Sequence, residues 1–230
     1  MPATAIVLPP PIREGDRLDS FEFLRRWEAM PELKHAELIN GTVFLIPSPV
    51  TLLHSDAHDR MHGWLWTYAD LTPGCQSGIE CTWEMGPKDV PQPDLFLRIL
   101  PECGVQSRLA GAYAAGAPEL IVEVSGSSLS RDLGIKLELY RNVRVREYLT
   151  VLLQPRQVIW RQLSRGRYRE IQPDADGLLR SHIFSGLWLD PAAVFQAKRS
   201  IRAAVEKRVR SPEHAAFVRR LASRIRKRSL

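Results

Sequence analysis

Two short apolar runs in this chain each carry one carboxylate. They are Pro93-Asp94-Leu95-Phe96-Leu97 and Glu119-Leu120-Ile121-Val122-Glu123-Val124. Runs of this kind read as strands buried on both faces. A buried carboxylate is costly unless it is paired or binds a metal. Asp94 and Glu123 on neighbouring strands would converge on one cation, and Mg²⁺ asks for a few carboxylate oxygens plus water. A lysine follows, at Lys136 on a predicted helix from Ser130 to about Asn142. Leu133, Leu137 and Tyr140 are expected to pack that helix on the sheet and turn Lys136 toward the acids. A lysine there can neutralise the pair, orient or deprotonate a water, or stabilise charge on a pentavalent phosphate. The same pattern also fits a buried salt-bridge cluster without chemistry.

These residues need a scaffold. Asp19 can cap a helix to Met30, with Phe21, Leu24 and Trp27 on one face. His35 to Ile46 reads as a hairpin around Asn40-Gly41, and Glu37 lies in its first strand. Thr51 to Asp70 has helical spacing, closed by Thr72-Pro73-Gly74. A strand from Gly78 to Met85 follows. Pro101 to Pro118 reads as a loop or irregular helix. Arg146 to Leu153, Gln157 to Leu163 and Arg167 to Ile171 read as strands. Pro191 opens a helix to about Arg210, and Ser211-Pro212 a second one to about Arg228. This order predicts a mixed α/β domain with one central sheet.

Composition narrows the function classes. The 230 residues carry a net charge of +6. Lys198 to Leu230 hold twelve Lys or Arg against two Glu, so the basic character belongs to the tail. No apolar run approaches the ~20 residues of a membrane span. Cys75, Cys81 and Cys103 form no Cys-x-x-Cys pair, which argues against a disulfide framework or a zinc site and for a cytoplasmic setting. His54, His58 and His62 share a helix face but lack a His-Glu-x-x-His pattern. The tryptophans read mostly as core.

Taken together, Glu37-Leu38-Ile39-Asn40-Gly41, Ser48-Pro49 with His54, Pro93-Asp94-Leu95, Val122-Glu123-Val124, Asp132-x-x-x-Lys136-x-x-x-Tyr140 and Gly186-Leu187-Trp188-Leu189-Asp190 resemble the Uma-type family of putative restriction endonucleases, within the PD-(D/E)XK nuclease superfamily. The resemblance spans about residues 16 to 193. It implies a restriction-endonuclease-like α/β core, a mixed central sheet flanked by helices; outside it, composition and charge predict a basic helical extension over 194–230 and a flexible arm over 1–15. By the same resemblance Asp94 and Glu123 would bind Mg²⁺ or Mn²⁺, and Glu37 would be a further metal or water ligand. Lys136 would serve the attacking water, with His54 and Tyr140 in support. The strict superfamily pattern has a lysine two residues after the second acid; here Ser125 stands there and the resemblance moves the lysine to Lys136. The implied activity is metal-dependent hydrolysis of DNA phosphodiesters. A homodimer suits an enzyme that cuts both strands. Two alternatives remain: a non-catalytic DNA-binding or assembly protein on the same fold, and a structural domain whose acids pair with arginines such as Arg98 or Arg131. The tail fits contact with DNA phosphates, a partner subunit or the parent domain.

Overall fold

The computed structural model describes residues 8–46, 50–104, 106–126 and 128–228. The Ser48-Pro49 part of the family pattern lies outside the described residues. Helix α1 (Ser20–Glu28) starts where the Asp19 carboxylate accepts the Glu22 N–H. Its buried apolar residue is Phe23, with Leu24 and Trp27 half-buried, whereas Phe21 is 75% exposed. The predicted stripe is therefore rotated: the small hairpin beneath α1 receives the Phe23 side. That hairpin, β1 (Ala36–Ile39) and β2 (Thr42–Leu45), turns through Asn40 and Gly41 at φ 51° and 74°. Both residues of a type I′ turn need positive φ, which is why Asn-Gly stands there. Helix α2 (Leu52–Asp70) begins on the Thr51 hydroxyl, which accepts the His54 N–H.

The chain then forms β3 (Cys75–Ile79), β4 (Trp83–Glu84), β5 (Leu95–Ile99), β6 (Ser107–Ala110), β7 (Tyr113–Gly116) and β8 (Leu120–Ser125). Short helices α3 (Leu129–Asp132) and α4 (Ile135–Asn142) lead to β9 (Glu147–Leu152), β10 (Gln157–Ser164) and β11 (Arg167–Glu170). The chain continues through β12 (Leu179–Arg180), β13 (Trp188–Leu189), α5 (Pro191–Phe195), α6 (Ala203–Arg208) and α7 (Pro212–Arg228).

One six-stranded sheet of order β11-β10-β9-β8-β5-β3 holds the centre. Only β8 and β9 pair parallel, and α3–α4 make the crossover that a parallel pair requires. Along β8 the side chains alternate between two buried faces. Leu120, Val122 and Val124 meet Met61, Trp64 and Leu65 of α2; Ile121 meets Leu139, Tyr140 and Tyr148 under α4. Burial on both sides explains why this strand reads as a continuous apolar run.

Four local readings change. Pro101 to Pro118 contains the β6–β7 hairpin, with β4 added parallel to β7. Its Ala- and Gly-rich strands have weak β-propensity, so tertiary pairing defines them. The Gly78–Met85 strand divides at Glu80, which takes φ 45°. The helix after Ser130 breaks at Gly134, where a Cβ would stand 2.6 Å from the Ser130 carbonyl oxygen. The helix from Pro191 stops at Phe195 rather than running to Arg210. The Arg60 guanidinium donates to the carbonyls of Ala193, Gln196 and Arg199, acceptors that a continuing helix would use itself.

The basic tail packs onto the domain. Val205, Phe217 and Leu221 join the main core, and Thr72 Oγ1 lies 2.9 Å from His214 Nε2. That contact sits at the carboxyl end of α2. Among the described residues no helix is long and apolar enough to cross a membrane.

Candidate active site

The register of β5 against β8 builds the site. Leu95 pairs with Val122, so the next step sets Asp94 opposite Glu123 on the same face. The Val124 N–H donates to Asp94 Oδ2 at 2.6 Å and fixes that carboxylate. The turn after β8 then carries the chain into α3 and α4. With the break at Gly134, the inward face becomes Asp132, Lys136, Leu139 and Tyr140, while Leu133 and Leu137 are only half-buried. The rotation still delivers the lysine: Lys136 Nζ lies 2.7 Å from Glu123 Oε1 and 2.9 Å from Glu37 Oε1.

All three groups are buried, Glu37 fully and Glu123 and Lys136 at 2% and 3% exposure. The Tyr140 hydroxyl donates to Glu123 Oε1 at 2.7 Å, and the Gln92 N–H donates to Glu37 Oε1 at 2.9 Å. Burial works against the charge of Lys136, but Glu123 and then Glu37 hold its ammonium above the ordinary lysine range. Burial raises Glu123 well above the usual carboxylate range against the pull of Lys136, with Asp94 adding to the rise. Burial also raises Asp94, opposed by Lys136, the Val124 N–H and the nearby His58 and His54.

Asp132, named from the sequence only as part of the family pattern, belongs to this cluster. It accepts from the hydroxyls of Ser125 at 2.7 Å and Ser128 at 2.5 Å, and lies 3.9 Å from Lys136 Nζ. Tyr148 donates to its main-chain carbonyl. The i,i+4 spacing of Asp132 and Lys136 was the available signal. Ser125, where the strict pattern has its lysine, is thus one of two serines that orient Asp132. Arg98 binds Gln76 Oε1, and the Arg131 guanidinium lies over the Phe44 ring, so the acid cluster pairs with Lys136 rather than with these arginines.

Above the cluster opens a cavity of about 440 Å³, lined among others by Asp94, Glu123, Lys136, His54 and Arg131. His54 comes from the first turn of α2. Its Nδ1 and the Nε2 of His58 are buried without hydrogen-bond partners among the described residues. His62 lines a different groove.

The donor set admits a hard divalent ion in part. Asp94 Oδ1 and Glu123 Oε2 accept no hydrogen bond among the described residues, and Glu37 Oε2 is a buried oxygen without a partner. The expected three-acid set is not gathered round one point, because Lys136 stands between Glu37 and Glu123. Among the described residues no three His, Cys, Asp or Glu side chains are grouped to enclose an ion. What remains is a pair of carboxylates facing a cavity, which suits an ion that keeps several waters.

The Uma2 family model, described as "Putative restriction endonuclease", matches residues 21–192. This chain belongs to the Uma2 family. Its members are placed among restriction-endonuclease-like proteins, a class that typically uses divalent metals. The fold is similar to the crystal structure of a putative nuclease belonging to DUF820 from Anabaena variabilis. The TM-score is 0.52 at 13% identity, over 80% of this chain and 97% of that one. No curated protein matches. The Uma2 match covers every acid of the cluster, Lys136 and His54, and it stops before α6 and α7.

Proposed function

We propose that this chain is a metal-dependent endonuclease that hydrolyses DNA phosphodiester bonds in the cavity above Asp94 and Glu123. The observation that carries the reading is the convergence of two cross-strand carboxylates and a buried ammonium on one open cavity. Asp94 and Glu123 are the residues that would hold Mg²⁺ or Mn²⁺. When bound, such an ion supplies a polarised water and stabilises charge developing on phosphate.

The protein's own groups divide the remaining work. Lys136 keeps its proton, so it is a charge stabiliser and donor for a phosphate oxygen, not the base. Two of its three N–H bonds are held by Glu123 and Glu37, which fixes the direction of the third. Glu37 therefore acts through Lys136 rather than as a ligand. Tyr140, whose hydroxyl burial keeps protonated, holds Glu123 in place. His54 reaches the cavity wall, where an imidazole can position a phosphate or a water.

The test is plasmid nicking with Mg²⁺ or Mn²⁺. Cleavage should vanish with EDTA and fall at least a hundredfold in Asp94→Asn, as expected when a group stabilising transition-state charge is removed. A second reading, DNA binding without cleavage, draws on the tight seating of Lys136 between two acids. A wild-type protein that shifts DNA on a gel but nicks none would replace the first reading with the second.

A further inference from the structure

Along α2 the positions four residues apart are His54, His58, His62 and Trp66. Each step advances about 6 Å and drifts about 40° around the helix. The ring centroids of His54 and His58 lie 6.2 Å apart, with planes only 17° from parallel. All three histidines are half-buried, and Trp66 is 52% exposed. It is the one exposed tryptophan among the described residues; Trp64, Trp83 and Trp160 are core, and Trp27 and Trp188 are half-buried. An exposed indole on a helix whose other face is fully packed has no part in the core.

The two ends of this stripe open onto two different hollows. His54 lines the cavity over the acid cluster. His62 and Trp66 line a groove of about 430 Å³ between α2 and residues 197–202, with Arg60, Arg199, Arg202 and Asp59 on its walls. Arg60 is committed to main-chain carbonyls. Arg199 pairs with Asp190 at 2.7 Å and Arg202 with Glu206 at 3.9 Å, but both arginine side chains are more than half exposed. Exposed pairs of this kind are weak, so a phosphate can take either arginine. The groove thus offers a flat aromatic face beside two available cations, the combination that holds a nucleic-acid strand by stacking and charge without reading its sequence.

We propose that the ring stripe His54–His58–His62–Trp66, with Arg199 and Arg202, is a track for a single strand of the nucleic-acid substrate leaving the active-site cavity. This rests on the nuclease reading, which supplies the strand, and it adds where the strand goes. Twelve residues of helix separate His54 from Trp66, about 18 Å. That distance matches about five stacked nucleotides at ~3.4 Å each.

The experiment is a fluorescence titration of the full chain with the oligonucleotide dT12, without divalent ions. Wild type should bind with quenching of tryptophan emission. Trp66→Ala should bind about tenfold more weakly, with the quench lost. Arg202→Gln should keep the quench, bind more weakly, and lower the slope of log affinity against log salt by about 0.7. It also serves if Trp66→Ala does not fold. Equal affinity in wild type and both variants would overturn the inference, as would no binding of dT12 by wild type. Loss of a concentration-dependent self-association in Trp66→Ala, with dT12 binding unchanged, would overturn it in favour of a second copy at the groove. Plasmid nicking by wild type against Asp94→Asn, run in parallel, reports separately on the nuclease reading: nicking without dT12 binding sinks the track alone.

Discussion

Replacing Lys136 by Met should be among the most damaging single changes to stability in this protein. The ammonium stands 2.7 Å from one carboxylate and 2.9 Å from another. At an effective dielectric of ~20 each attraction amounts to about 6 kcal/mol. Desolvation of three buried ions offsets most of that sum, so the intact triad contributes little net stability. Removing only the cation does not restore water to Glu37 and Glu123, and the two acids then repel each other. Breaking a buried pair from one side costs about 3–5 kcal/mol. For a chain of this size that lowers the melting temperature by roughly 10 °C. The cost depends on pH in a stated direction. Without the ammonium, burial and the neighbouring Asp94 make Glu123 hold its proton more tightly folded than unfolded. The variant's stability is therefore fullest below the unfolded carboxylate pKa and falls as pH rises through the folded values. Urea titrations of wild type and Lys136→Met at pH 5 and pH 8 should show the larger deficit at pH 8. Adding Glu37→Gln and Glu123→Gln to Lys136→Met should recover part of it. A Lys136→Met protein within 1 kcal/mol of wild type at pH 8 would refute the buried triad.

Glu147, buried at the start of β9, accepts from the Ser181 hydroxyl and the His182 N–H, yet burial raises its pKa from 4.5 to about 7. A raised carboxyl contributes stability below pH 4.5 that is lost as pH climbs to 7, here about 3 kcal/mol; Glu147→Gln should flatten that part of a stability–pH curve measured by urea titration. Gly116 takes φ 79°, and a Cβ there would run into the Gln106 carbonyl oxygen. Gly116→Ala should therefore cost about 2 kcal/mol in chemical denaturation, with the β6–β7 amides losing hydrogen-exchange protection first. Arg60→Ala should leave the Ala193 and Arg199 carbonyls unanswered, Gln196 keeping its bond from the Arg199 N–H, and free residues 196–202, seen as faster proteolysis within that segment and a loss of about 2 kcal/mol.

The sequence was most legible where one short signal forces one structure. Asn40-Gly41 admits a type I′ turn, Asp19 caps the helix it precedes, and the β8 run reads as buried because it is buried on both faces. The acids were legible as anomalies within apolar runs. Their meeting was not, because register between β5 and β8 is a tertiary fact that neither strand states alone. Asp132 stood in the sequence only as part of the family pattern, since the break at Gly134 that turns it inward rests on a close backbone approach that only a residue without a Cβ allows. The C-terminal helix was overextended for a similar reason: Arg60, remote in sequence, captures the carbonyls that would have continued it.

The pairing of Asp94 with Glu123 also bears on how this family can vary. Their separation is set by two strands lying in register, not by the chain between them. That chain, residues 100–119, makes an excursion through a hairpin and returns. Its length can change without moving either acid, provided β5 and β8 keep their alignment. Insertions there would alter the opposite end of the strand pair, since no described residue of 100–119 lines the cavity, and would leave the chemistry in place. A one-residue slip within either strand would do the reverse and send its acid to the opposite face. The excursion is thus a place where length can vary at little risk to the reaction, and the six residues of β8 are a place where almost nothing can be tried at all.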